Sequence, residues 1–168
     1  SLTDLYLQIR INGDLALLKA ACKQLVDQKS VDLEFIQNNT TDYQEFLQEI
    51  KEANIDQLLA DAGISAIQFH EFVQLLANNS KIIVCWAMGL TQHKNSVVTI
   101  QEVVNLLLLR GAIGKEGAGT CPVRGHSNVQ GDRTVGIMHK PSAAFNSAIQ
   151  KNYGFTPPQH HGYDVVEA

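Results

Sequence analysis

The sequence predicts an α/β fold, and three observations carry that expectation. The chain opens on a strand-like segment, a tight turn and an amphipathic helix. A short apolar run at 81–86 then leads through a polar loop into an almost wholly apolar helix. Finally, a glycine-rich passage of irregular chain follows that helix.

Residues 5–11 alternate apolar and polar side chains in their second half, the period-two pattern of a strand, and the turn Asn12-Gly13 follows. Asp14 stands where a helix N-cap belongs. Over 15–27 the apolar residues Leu15, Leu18, Cys22 and Leu25 share one helical face. Residues 32–62 are polar and helix-favouring, which predicts two or three short helices with Thr40 or Thr41 as a cap and Phe46, Ile50, Leu58 and Leu59 as packing contacts. A further helix over 65–77 buries Ile67, Phe69, Phe72, Val73 and Leu76. The apolar run at 81–86 reads as a strand buried on both faces, and 97–110 as a helix buried among other elements. Strand, loop and buried helix in that order place residues 88–93 at the carboxyl end of a strand, where open α/β sheets bind ligands.

Between 111 and 136 the texture changes, because seven of the twelve glycines fall there with few large apolar residues. So long an irregular passage implies a functional role or a packing partner. A short helix over 142–152 and an extended stretch over 156–161 complete the reading. The expected organisation is a single α/β fragment, 1–168, with a core over 1–120 and a pocket loop and C-terminal extension over 121–168. The absence of an initiating Met and the abrupt C-terminus read as those of an internal piece of a larger catalytic subunit.

Composition narrows the function classes. A net charge of −4 and a pI of about 5.8 give no basic footprint for nucleic acid. Cys22, Cys85 and Cys121 form no CxxC or Cys/His spacing, which excludes a conventional zinc or iron–sulfur motif and suits a reducing compartment, hence a cytoplasmic location. No apolar run is long enough to span a membrane.

Generic motifs fail on detail. A phosphate loop at Gly114-Lys115 would need glycine at Leu109 and Ser or Thr at Glu116. The dinucleotide pattern from Gly117 and Gly119 meets Pro122 where its third glycine belongs. No serine sits in a Gly-x-Ser-x-Gly elbow. His160 and His161 read as a polar tail, and His70 as a half-buried helix histidine. Arg124-Gly-His-Ser-Asn128 differs in kind: a planar cationic fork matched to carboxylates or phosphates, a glycine clearing space, and two further hydrogen-bonding groups. By spacing alone it reads more readily as a solvated loop with Arg124 paired to a surface acid.

Two strings decide between those readings. Cys85-Trp-Ala-Met-Gly-Leu-Thr-Gln-His93 and Cys121-Pro-Val-Arg-Gly-His-Ser-Asn-Val-Gln-Gly131 resemble signatures of the molybdopterin oxidoreductase family, most closely its formate dehydrogenase alpha subunits and formate-dehydrogenase-like relatives. The intervening passage from Asn105 to Gly119 is similar to that family's helix-then-glycine stretch, and the resemblance extends over nearly the whole chain.

The resemblance implies a part of the α/β core around a bis-molybdopterin guanine dinucleotide holding molybdenum or tungsten. Asn12, Gly13 and Asp14 correspond to a cofactor-contacting turn, with Asp14 accepting from guanine or ribose donors. Met88, Gly89 and Gln92 match positions that touch the pterin: the amide can donate and accept, and Gly89 gives the ring access. Arg124 matches the arginine that holds formate near the metal, an electrostatic clamp on a small carboxylate. The resemblance also implies that Arg124, Gly125 and Asn128 face the cofactor. His126 stands where formate oxidisers of this group carry glutamine, and a titratable imidazole changes hydrogen bonding and charge beside Arg124.

No metal ligand is assigned within these residues. The resemblance places that ligand, and a 4Fe-4S cluster, elsewhere in the polypeptide. It implies as partners a small-molecule substrate such as formate, the rest of the polypeptide and an electron-transfer subunit, with no nucleic acid and no membrane segment. The isolated piece is expected to be inert. Two alternatives stay open: a scaffold or cofactor-binding module of the same fold without formate dehydrogenase activity, or an oxidoreductase acting on another small substrate.

Overall fold

The computed structural model describes residues 2–123, 125–126, 129–164 and 166–168. The chain divides into two compact units, residues 1–123 and 124–168, each treated by itself. The first contains α1 (Asp14–Asp27), α2 (Leu33–Asn39), α3 (Tyr43–Lys51), α4 (Ile55–Ala62), α5 (Ala66–Asn78), β1 (Ile83–Trp86), α6 (Met88–Thr91), α7 (Ser96–Leu109) and β2 (Gly119–Pro122). The second contains α8 (Val129–Thr134) and α9 (Ala143–Tyr153). This is a mixed helix-and-strand chain with a small parallel sheet, compatible with the α/β expectation.

Residues 5–11 form no strand. Their alternation is real, since Leu5, Leu7 and Ile9 are half-buried while Tyr6, Gln8 and Arg10 are exposed. The amide of Arg10 donates to the Ala62 carbonyl at 2.9 Å, and Leu7 and Ile9 pack on the helical core. A chain crossing helices acquires the period-two burial of a strand without a ladder to join. The turn that follows puts Asn12 at φ 64° and Gly13 at the N-cap of α1, so Asp14 is the helix's first residue instead of its cap. Gly13 is required by close approach: a Cβ there would lie 2.9 Å from the Arg10 carbonyl oxygen and 3.0 Å from the Ala62 Cα.

Helix α1 is the centre of the unit and packs on α4, α7 and α5. Its buried face is Leu17, Ala20, Ala21, Cys22 and Leu25, while Leu15 and Leu18 are only half-buried. The alanines let neighbouring helices approach closely, a feature that counting large apolar residues overlooks. Residues 32–62 form three helices, of which α2 is capped by Asp32, which accepts from the Phe35 amide at 2.9 Å, and α4 by Asn54, which accepts from the Gln57 amide at 3.1 Å, while Asp42 starts α3 without a side-chain cap. Thr40 ends α2, its hydroxyl donating to the Ile36 carbonyl at 2.7 Å. Ser65 and Gln68 form a capping box that starts α5. That helix buries Phe69, Val73 and Leu76 but leaves Ile67 exposed, because Ile67 lies in its first turn, off the packed stripe.

Helix α7 presents two faces to two clusters: Leu106 and Leu109 join the main core, whereas Val103 and Leu107 join Ala112 in a second cluster under Val84 and Trp86. Its N-terminal Val97 and Val98 are exposed. Strand β1 pairs in parallel with β2, with Ile83 opposite Gly119 and Cys85 opposite Cys121. Burial along β1 alternates, so the strand is covered on one face only, by the second cluster. The glycine-rich passage therefore contains a strand, reached through Gly111, Gly114 and Gly117, all at positive φ.

Buried between α1 and α7, Glu102 is only 6% exposed. Asn105 Nδ2 donates to it at 3.2 Å, and the Cys22 thiol hydrogen-bonds it as well. Burial nevertheless dominates and raises its carboxyl above the usual range, and burial together with the Glu102 charge raises the Cys22 thiol well above its own. An acid whose folded pKa is raised contributes stability that is fully present below its unfolded pKa and is lost as pH rises through the folded one. Urea unfolding across that interval should therefore show wild type losing stability relative to Glu102→Gln as pH rises. A pH-independent difference between the two proteins would contradict this.

Candidate functional site

The polar loop predicted to bind ligand leaves the carboxyl end of β1 and turns at once into α6. Ala87 caps that short helix in extended conformation, and the amide of Gln92 closes it on the Met88 carbonyl at 3.0 Å. Beside it the start of α1 arrives from the Asn12-Gly13 turn. Together they enclose a cavity of 410 Å³ lined by Asp14, Leu17 and Leu18 from α1, residues 84–87 and 89–90 from β1 and α6, and Val103 from α7.

Two segments far apart in sequence thus meet at one pocket. Asp14 supplies a carboxylate in the first turn of α1, where the uncapped helix terminus concentrates backbone N–H groups. Trp86, Leu17, Leu18 and Val103 supply apolar walls. Gly89 opens the wall between them, since a Cβ there would meet nothing within 4 Å. The arrangement is that of a ligand crevice at the end of a parallel strand: mostly apolar, with few polar groups.

Of the residues the sequence singled out, Asp14 and Gly89 line this cavity and Gly13 shapes the turn beneath it. Asn12 is exposed on that turn, Met88 is 42% exposed, and Gln92 is exposed at the end of α6. Gly125 and His126 are exposed in the second unit. Arg124 and Asn128 lie outside the described residues. Among the described residues no group of three or more His, Cys, Asp or Glu side chains could hold a metal ion.

Three features escaped sequence reasoning. Trp86 and Leu18 read as core residues and Leu17 was not singled out, and only their meeting makes them pocket walls. Within the second unit, a 300 Å³ cleft is lined by residues that include Asn146, Gln150, Pro157, His160 and His161, so the two histidines edge a polar recess. A 280 Å³ cleft between α2, α3 and α7 holds Asp42 and Asn105 but none of the residues assigned to cofactor or substrate.

No family model matches the chain. It is 41% identical over 173 residues to an uncharacterized oxidoreductase of Mycobacterium tuberculosis, covering 99% of this chain and 22% of that protein. Protein YdeP of Escherichia coli is 41% identical over 175 residues, covering 98% of this chain and 23% of YdeP. The F420-dependent formate dehydrogenase subunit alpha of Methanocaldococcus jannaschii is 30% identical over 136 residues, covering 81% of this chain and 20% of that subunit. The chain thus spans roughly a fifth to a quarter of the length of these curated relatives. No helix among the described residues is long and apolar enough to cross a membrane.

Proposed function

We propose that this chain is part of a molybdopterin-dependent oxidoreductase resembling formate dehydrogenase, and that it supplies residues to the cofactor and substrate pockets. The observation that carries the reading is the cavity at the end of β1, where Asp14 and Gly89, assigned to cofactor contact on separate sequence strings, line one wall. Relatives over nearly the full chain, one of them named an oxidoreductase, support it. So does the more distant formate dehydrogenase subunit.

The residues suit part of a pterin guanine dinucleotide. Asp14 accepts from ring N–H or ribose O–H donors, the apolar walls cover a flat heterocycle, and the open face of Gly89 lets its ring approach the backbone. Gln92, Met88 and the Asn12-Gly13 turn complete the contacting set of this cavity, and the resemblance assigns Gly125 and Asn128 to cofactor contact as well. When bound, the molybdenum or tungsten and its dithiolenes supply two-electron chemistry.

Arg124 binds a small anionic substrate such as formate through its guanidinium fork and steadies its charge. His126 hydrogen-bonds beside it and adds a titratable group, which tunes the site for formate or another small substrate. A 4Fe-4S cluster elsewhere in the polypeptide and an electron-transfer subunit would carry electrons away, in the reducing cytoplasm. The full-length protein, made in a host that assembles the cofactor, should copurify with molybdenum or tungsten and a pterin. Purification with neither would end this reading.

A further inference from the structure

Cys85 and Cys121 come from different strings of the sequence, yet the parallel pairing of β1 and β2 sets them directly opposite each other. Paired residues of adjacent strands project from the same face of a sheet. Here it is the uncovered one: in β1 burial alternates, Val84 and Trp86 facing the second cluster while Ile83 and Cys85 face out, and Cys121 is exposed as well. Both thiols are free, and they share a hydrogen bond that raises the Cys85 thiol above its usual range. The remaining cysteine, Cys22, is fully buried against Glu102.

Neighbouring strands run about 4.7–4.9 Å apart, inside the roughly 4.4–6.8 Å window of Cα separations that a disulfide spans. Side chains projecting in parallel must still lean together to reach bonding distance, so the bridge is strained. Strained, exposed disulfides are the readily reduced kind, used transiently in reducing compartments.

We infer that Cys85 and Cys121 form a reversible redox clasp, a cross-strand dithiol that a low-molecular-weight disulfide oxidises to an intrachain disulfide. The Cys121 thiolate attacks one sulfur of the small disulfide, making a mixed disulfide and releasing one small thiolate. Cys85, opposite it in the strand register and still carrying its proton, is the resolving thiol. On losing that proton it attacks Cys121 Sγ, forms the Cys85–Cys121 bond and releases the second small thiolate. Two protein thiols lose two electrons and two protons, and one small disulfide becomes two small thiols. Cys85 belongs to the strand that lines the 410 Å³ cavity, so the clasp pins β2 to that strand.

The test treats the full-length protein with oxidised glutathione, blocks residual thiols with iodoacetamide and maps peptides by mass spectrometry. The expected result is a peptide joining Cys85 to Cys121, absent after dithiothreitol, while Cys22 stays reduced. In Cys85→Ser the same treatment should leave Cys121 as a stable mixed disulfide with glutathione. Alkylation of both thiols after oxidation would overturn the proposal. So would glutathione on both without a cross-link, and so would a cross-link to any other cysteine. Thiol mapping needs no molybdenum or pterin, so it fails or succeeds separately from the cofactor assignment.

Discussion

The Gly89→Trp substitution is expected to cut the molybdenum and pterin content of the full-length protein at least tenfold while leaving the unfolding midpoint of the cofactor-free protein unchanged. Gly89 lies in α6 on the wall of the 410 Å³ cavity, and a Cβ placed there meets open space, so the added ring finds no backbone to displace. An indole at this lining position competes with the cofactor for the volume of the cavity. Forcing a bound ring past it is overpacking, typically about 1–3 kcal/mol, and about 1.4 kcal/mol already accounts for tenfold in affinity. Elemental and pterin analysis beside a urea titration checks it. Full cofactor loading in Gly89→Trp would remove the cavity from the cofactor site, even if the protein proved to be a molybdoenzyme.

Arg110→Ala should cost on the order of 2 kcal/mol of stability, since acceptors that lose a charged donor forfeit roughly 1–3 kcal/mol each when buried, and the half-buried carbonyls of Ser30 and Ala77 and the exposed one of Asn79 recover much of that from water. Arg110 follows α7, and its guanidinium gathers three carbonyls from chain ends: Nη1 donates to Ser30 at 2.6 Å, and Nη2 to Ala77 at 3.0 Å and Asn79 at 3.1 Å. One side chain therefore ties the close of α1 and the close of α5 to the close of α7. Burial lowers its pKa and the neighbouring Asp32 charge opposes that shift, so the group holds its proton at a desolvation cost. Arg110→Lys should recover only part of the loss, because an ammonium cannot span three carbonyls as a planar fork does. Urea unfolding of the two variants decides it, and equal stability of Arg110→Ala and wild type would show that the three carbonyls find water instead.

The longer helices were legible because their determinants are local, whereas α6 and α8 lay in passages read as loop and the caps of α2 and α4 were looked for at Thr40 and Thr41. Ser65 and Gln68 write the start of α5 in four residues, Asp32 and Asn54 start α2 and α4, and Ser142 starts α9 by accepting from the Phe145 amide at 3.2 Å. The strands were legible only in part. An alternating segment such as 5–11 declares which side chains face inward but not whether a neighbour will offer a ladder, and here helices occupied that place. Conversely, β2 lay hidden among glycines, since Gly-Thr-Cys-Pro has neither length nor alternation and becomes a strand only by pairing with β1.

The candidate site divides along the same line. From the sequence alone came the residue types and strings: the turn at Asn12 to Asp14, the passage from Met88 to Gln92, and the cationic and titratable pair Arg124 and His126. Their chemistry belongs to the side chains and needs no fold to be read. Only the tertiary structure decided that Asp14 and Gly89 line one cavity with Trp86 and Leu17, and that Cys85 stands opposite Cys121. Such proximities depend on strand register and on the packing of α1 against α7, which are sums over many weak non-local contacts that no short window of sequence records.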